Sequence, residues 1–88
     1  MAEFSETAQV LIMINNVIIE QDLELQQSLK ASLQSYLSDM MPKKILNFMK
    51  KHLKDDFLKK IKNQTFNFFE LKRLRSMLLM RLKFLKRY

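Results

Sequence analysis

The sequence predicts an all-α protein: a small, self-associating bundle of three to five helices in a single domain over residues 1–88. Glycine is absent and proline occurs once, so Asn-Gly hairpin turns and phosphate-cradling glycine loops are excluded. Apolar residues make up 48% of the chain and recur at helical spacing. With 88 residues and no cysteine, the chain has no disulfides or thiolate metal sites, so its stability must come from burial and oligomerisation.

The first segment, residues 5–20, is expected to be a helix with Ser5 as its N-cap. Its apolar residues cover nearly the whole circumference, which is typical of a helix buried on all sides. Because so small a protein offers few neighbours to cover it, this segment predicts self-association. The residues assigned to that contact are Val10, Ile14, Val17 and Ile18. A buried strand is the alternative, since β-branched residues are dense here, but no second strand-like run offers pairing.

The second segment, residues 22–40, has the pattern of an ordinary amphipathic helix. Its apolar face consists of Leu25, Leu29, Leu33, Tyr36, Leu37 and Met40. The apolar stripe loses its phase over residues 21–24, which favours a break there over one continuous helix. Without glycine, a position with positive φ is expected to use asparagine or to be avoided.

The third segment is expected to run from Pro42 to about Lys62, because proline suits the first turn of a helix. Its apolar residues lie four apart, at Ile45, Met49, Leu53, Phe57 and Ile61. That spacing drifts around a 3.6-residue helix. Two interpretations stay open: the stripe winds around one helix, or the helix breaks near residues 54–56 and Asp55 caps a new start.

The fourth segment begins at Asn67, and Glu70 three residues later completes a pattern close to a capping box. It is expected to continue to the C-terminus as an amphipathic helix. Its apolar face consists of Leu71, Leu74, Met77, Leu78, Leu82, Phe84, Leu85 and Tyr88. Its basic face consists of Lys72, Arg73, Arg75, Lys83, Lys86 and Arg87.

The charge is divided between an acidic half, residues 1–41, and a basic half, residues 42–88. The acidic half has six acids and one base, whereas the basic half has 15 of the 16 lysines and arginines and three acids. This asymmetry predicts an acidic partner. The candidate contact residues are the basic face of the fourth segment together with Lys50 and Lys51. A solvated outer face is the alternative, but Leu79 and Met80 on the basic side favour a contact surface.

Arg81 lies near the middle of the apolar face of the fourth segment. Because a buried unpaired guanidinium is very costly, Arg81 has to form an ion pair or reach solvent. The expected partner is an acid of the acidic half, with Glu20, Asp22 and Glu24 as candidates. Pairing across a dimer and extension of the side chain to the edge of the face are the alternatives.

Catalysis is not expected, and neither a cofactor nor a metal site is predicted. The one histidine, His52, stands among lysines with no nucleophile beside it, which is typical of a surface residue. Asp55 and Asp56 are adjacent, so on a helix they point about 100° apart and do not form a carboxylate pair.

Three functions are compatible with these patterns. The preferred one is a regulatory or adaptor protein, expected to be a homodimer, that binds a larger, acidic protein. The second is phosphate-directed binding of nucleic acid through the basic face, although the sequence shows no helix-turn-helix pattern. The third is binding to a membrane surface through the C-terminal helix. The longest apolar run, Ala8–Ile19, has 12 residues and spanning needs about 20, so the expected location is cytoplasmic.

Overall fold

The computed structural model describes residues 2–53 and 67–87. Over these residues the chain forms four α-helices and one π-helical turn, with no strand. The helices are α1 (Ala2–Glu20), α2 (Leu23–Ser35), α3 (Lys43–His52) and α4 (Phe68–Lys86), and the π-helical turn is Tyr36–Met40. The predicted all-α bundle is therefore confirmed, and the strand considered for the first segment is absent.

Helix α1 packs against α2, the π-helical turn and α4. It begins at Ala2, three residues before the predicted start at Ser5. Two contacts of Glu3 account for the longer helix. The Thr7 hydroxyl donates to the Glu3 carbonyl at 2.7 Å, and the Glu3 carboxylate accepts hydrogen bonds from Arg81 of α4. A side chain 78 positions away thus holds the first turn in place.

The structure corrects the expectation that α1 is buried on all sides. Self-association through its apolar residues stays a prediction. Val10, Ile14 and Val17 are buried in the core of a single chain. Ile18 is half-buried and packs against the same core. Burial within one chain is possible because three elements surround the inner face of α1. Its outer face leaves Ile19 76% exposed.

The break between α1 and α2 lies where the apolar stripe loses its phase. Gln21 has a φ of 54°, in the left-handed region, and its N–H donates to the Val17 carbonyl at 2.9 Å. The Asp22 side chain then caps α2 by accepting from the Glu24 N–H at 2.8 Å. The expectation that positive φ falls on asparagine was wrong, because this connection is too short for any residue but Gln21 to make the reversal. The left-handed residue costs about 1–2 kcal/mol.

The end of the second segment is π-helical where an ordinary helix to Met40 was expected. The Met41 N–H donates to the Tyr36 carbonyl, five residues back, at 3.1 Å. The Ser38 hydroxyl donates to the Gln34 carbonyl at 2.7 Å and competes with the backbone ladder. The wider turn places both Tyr36 and Met41 in the core, where they are 1% and 6% exposed.

A buried pair of hydroxyls joins α1 to the π-helical turn. The oxygens of Thr7 and Tyr36 are 2.8 Å apart. Because Thr7 uses its only hydroxyl proton on the Glu3 carbonyl, Tyr36 is the donor in this pair. Each hydroxyl is therefore satisfied inside an otherwise apolar core.

Helix α4 starts where the sequence predicts, with the Asn67 side chain accepting from the Glu70 N–H at 2.8 Å. It runs antiparallel to α1, since Arg81 contacts Glu3 near one end while Arg75 contacts Asn15 nearer the other. Its buried residues are Leu71, Leu74, Leu78 and Leu85. Four of the seven predicted apolar positions that the structure describes are therefore buried, and the eighth, Tyr88, lies outside the described residues.

Helix α3 ends at His52, about ten residues before the predicted end, and extended backbone at Leu53 stops it. The predicted continuation through Phe57 and Ile61, and the proposed cap at Asp55, lie outside the described residues. The Arg73 side chain of α4 donates to the His52 carbonyl at 2.7 Å. This bond holds the end of α3 beside the start of α4.

Replacing Thr7 by valine is expected to lower the free energy of unfolding by about 1–3 kcal/mol, because the buried Tyr36 hydroxyl loses its acceptor. Chemical denaturation measures the change. Thr7→Ser keeps the hydroxyl and is the matched control. In the Thr7→Val/Tyr36→Phe double variant the two losses should not add, since the second change removes the group orphaned by the first. Strict additivity would contradict the role given to this pair.

The stability that Tyr36 provides is expected to fall at high pH. Burial is the main cause of a raised pKa of the Tyr36 phenol, and Glu3 raises this pKa further while Arg81 lowers it. Because the folded pKa exceeds the unfolded one, this contribution is complete below about pH 10 and is lost as the pH rises through the folded pKa.

The measurement is the difference in unfolding free energy between the wild type and Tyr36→Phe as a function of pH. Lysine titration affects both proteins equally and cancels in the difference. We expect the wild type to lose its advantage above about pH 10. A difference that stays constant into the alkaline range would show that Tyr36 does not titrate with unfolding.

Candidate functional site

An apolar groove of about 230 Å³ lies between α3 and α4. Its lining consists of Ile45, Phe48 and Met49 from α3 and Met77, Met80, Arg81 and Phe84 from α4. The α3 residues are three and four apart, and so are those of α4, so each helix presents one stripe to the groove. The volume is below the range of about 300–1,000 Å³ typical of small-molecule pockets. The groove is better suited to side chains projecting from a docked protein element.

The two sides of the groove carry large apolar side chains at the surface. Phe48 is 57% exposed and Met80 is 71% exposed. The Phe48 ring is tilted against the His52 ring, with centroids 4.4 Å apart, so it is supported from one side. Three of the lining residues are methionines, whose unbranched, polarizable side chains adapt to different partners. Exposed apolar clusters of this kind are typical of interaction sites.

Exposed cations lie three or four residues from the apolar residues of the groove on both sides. On α3, Lys44 and Lys51 lie four residues before and three residues after Phe48, and both are exposed. On the other side, exposed Lys83 of α4 follows Met80 by three residues, and exposed Arg87, the C-cap of α4, follows Phe84 by three. Helix α3 contains no acidic residue. We call these four residues, Lys44, Lys51, Lys83 and Arg87, the cationic rim.

Arg81 places a charge within the apolar lining. Its Nε donates to Glu3 Oε2 at 2.6 Å and its Nη2 donates to Glu3 Oε1 at 3.0 Å. The two side chains are only 13% and 16% exposed. The guanidinium carbon lies 5.4 Å from the Phe84 ring centroid, within cation–π distance. Two hydrogen bonds and the ring therefore fix the plane of the guanidinium.

The partner of Arg81 differs from the three acids named from the sequence. Glu20 ends α1 and Asp22 and Glu24 begin α2, whereas Arg81 lies beside the first turn of α1. The antiparallel packing of α1 and α4 is the reason, because it brings the C-terminal part of α4 to the start of α1. Pairing within one chain is what the structure shows.

The predicted contact residues divide into two groups. Those exposed on the surface are Lys50, Lys51, Lys72, Arg73, Lys83, Lys86 and Arg87. Arg75 is half-buried and donates to Asn15 Oδ1 at 3.0 Å, so it joins α4 to α1. Arg73, although exposed, is bonded to the His52 carbonyl and lies 5.9 Å from the Phe69 ring centroid. Only part of the predicted basic face is thus directed toward solvent without a structural contact of its own.

The sequence interpretation did not include Phe48, the most exposed residue on the α3 side of the groove. The apolar residues that the sequence interpretation selected on this helix are spaced four apart, at Ile45 and Met49, and this spacing leaves Phe48 out. Its position three residues after Ile45 was the available signal. Met80, by contrast, was identified as an apolar residue on a basic face, and it lies at the groove.

Among residues 2–53 and 67–87, no group of three or more histidine, aspartate or glutamate side chains is placed to hold a metal ion. None of the helices described is both long enough and apolar enough to cross a membrane. His52 is exposed and contacts Phe48. The pair Asp55–Asp56 lies outside the described residues.

No protein-family model, curated protein or solved structure matches this chain.

Replacing Glu3 by glutamine is expected to lower the free energy of unfolding by about 1–3 kcal/mol, since the largely buried Arg81 guanidinium loses its counter-ion. The midpoint of urea denaturation measures the effect. Glu6→Gln removes the same charge from the same end of α1 but leaves the Arg81 contact intact, so it is the matched control. Equal losses in the two variants would mean that the ion pair itself contributes nothing.

Proposed function

We propose that this protein is a non-enzymatic regulatory or adaptor protein that binds an acidic amphipathic helix of a larger protein in the groove between α3 and α4. The observation that carries the proposal is the combination of exposed Phe48 and Met80 with the cationic rim on both sides of the groove. Amphipathic helices bind in apolar grooves through residues spaced three and four apart. The rim selects against basic helices, because like charges placed opposite each other repel.

The length of the groove supports a helical partner. Helix α3 has ten residues, which at 1.5 Å per residue corresponds to about 15 Å. Three turns of a docked helix would cover this distance. Such a helix would present apolar side chains to Phe48 and Met80 and carboxylates to the rim on either side.

Binding to nucleic acid is supported less well by the contacts of the basic face. Phosphate contacts require cations that are directed outward, and Arg75 is instead bonded to Asn15 of α1. Phosphates also provide no apolar surface for Phe48 and Met80. A DNA duplex is therefore the competitor in the binding experiment.

The test uses labelled synthetic helical peptides of about four turns with leucines on one face. The remaining positions are glutamate, glutamine or lysine in three versions of the peptide. Fluorescence anisotropy measures the affinity, and a generic DNA duplex is titrated in parallel. We expect the glutamate peptide to bind most tightly and the lysine peptide to bind least.

Phe48→Ala and Met80→Ala are each expected to weaken binding of the glutamate peptide by about tenfold, as for the central residues of an interface. Ile19→Ala removes an exposed apolar side chain near the C-terminal end of α1, which does not line the groove, and should leave the affinity unchanged. Because all three side chains are more than half exposed, the variants should remain folded. No binding of any peptide, or binding of DNA alone with a steep salt dependence, would refute the proposal.

A further inference from the structure

The lining of the groove contains one charged group, Arg81, and its environment suggests what it recognises. The Glu3 carboxylate bonds the edge of the guanidinium formed by Nε and Nη2. A guanidinium has five N–H donors and a second edge, formed by Nη1 and Nη2. That second edge has the fork geometry that accepts another carboxylate.

We infer that Arg81 is the residue that determines specificity in the groove. Its guanidinium binds one carboxylate that lies among the apolar residues of the bound helix, and Glu3 competes with that carboxylate for the guanidinium. The inference rests on the proposed function, since it concerns the same groove. It goes further by assigning an acidic residue to the apolar face of the partner helix, apart from the acids that face the rim.

The position of Arg81 distinguishes its role from that of the rim. The side chain is 13% exposed, whereas Lys44, Lys51, Lys83 and Arg87 are exposed to solvent. Salt screens charges at the surface much more than charges that are partly buried. The contribution of the rim should therefore fall with salt, while the discrimination due to Arg81 should persist.

Glu3 limits the strength of this recognition. In the free protein its carboxylate largely neutralises the guanidinium. A second carboxylate on the same guanidinium would lie close to Glu3, and two like charges in a partly buried site repel. Glu3 therefore keeps the groove from binding every acidic segment tightly, and only a helix whose apolar contacts offset this repulsion is retained.

The experiment compares two versions of the acidic peptide that differ at one position, glutamate or glutamine in the middle of the apolar face. Both are measured with the wild type, with Arg81→Met and with Arg75→Met. Arg75 is the matched control because it is a half-buried arginine of the same helix, bonded to α1, that does not line the groove. All measurements are made at about 50 and 500 mM salt, which changes the screening length severalfold.

We expect the wild type to prefer the glutamate peptide about tenfold at both salt concentrations, and Arg75→Met to keep that preference. Arg81→Met should remove it while leaving the affinity for the glutamine peptide nearly unchanged. If peptides bind but the preference is absent, or survives in Arg81→Met, the inference is wrong while the proposed function stands. If neither peptide binds, the proposed function itself fails.

Glu3→Gln provides a second, independent variant in case Arg81→Met does not fold. It should raise the affinity for the glutamate peptide severalfold and leave that for the glutamine peptide unchanged, because the competing charge is gone. Circular dichroism at the temperature of the binding experiment checks that the variant is folded. An affinity for the glutamate peptide that falls or stays the same would overturn the competition assigned to Glu3.

Discussion

The antiparallel packing of α4 against α1 is the interaction on which the rest of the structure depends. Polar contacts fix its register at two points, Arg81 with Glu3 and Arg75 with Asn15. Leu71, Leu74 and Leu78 of α4 share one core cluster with Val10, Ile14 and Val17 of α1. Since apolar packing is not directional, these contacts determine how far one helix is displaced along the other. The position of α4 in turn decides which of its residues face α3 and form the groove.

The same contact links the core to the proposed binding site. Glu3 bonds Arg81 with its carboxylate, and its carbonyl accepts from Thr7, which is bonded to Tyr36. This chain of polar groups runs from the wall of the groove to the buried centre of the bundle. A partner that alters the bonding of Arg81 therefore acts on a group that also holds the first turn of α1. Under the proposed function, binding and stability are coupled at Arg81.

Local sequence signals predicted the parts of the fold that depend on neighbouring residues. Asn67 with Glu70, and the loss of phase around Gln21, concern residues within a few positions of each other, and both were identified. The length of α1 and the partner of Arg81 depend on a contact across 78 positions. That contact depends on whether α1 and α4 pack parallel or antiparallel. The helical periodicity of the sequence carries no information about this orientation.

The candidate site was predictable only in part for a similar reason. Met80 could be identified because it is an apolar residue on the basic face of an amphipathic helix, where polar residues are expected. Phe48 lies on a helix in which apolar residues are expected, so its spacing of three residues from Ile45 was the one local signal and did not distinguish a surface position from a core position. Its role follows from the adjacency of α3 and α4. Likewise, the apolar residues of α1 predicted more burial than contact with one neighbouring helix provides. In the structure, α2, the π-helical turn and α4 of the same chain all contact α1.

The most direct test of the groove as a binding site is NMR of the methionine methyl groups during titration with the acidic amphipathic peptide. Met49, Met77 and Met80 line the groove, whereas Met13 and Met41 lie elsewhere in the bundle and report on the rest of the fold. We predict that the groove methyl resonances shift in proportion to the bound fraction while those of Met13 and Met41 stay nearly constant. Shifts concentrated at Met13 or Met41, with the groove methyl groups unaffected, would contradict the assignment of this groove as the site.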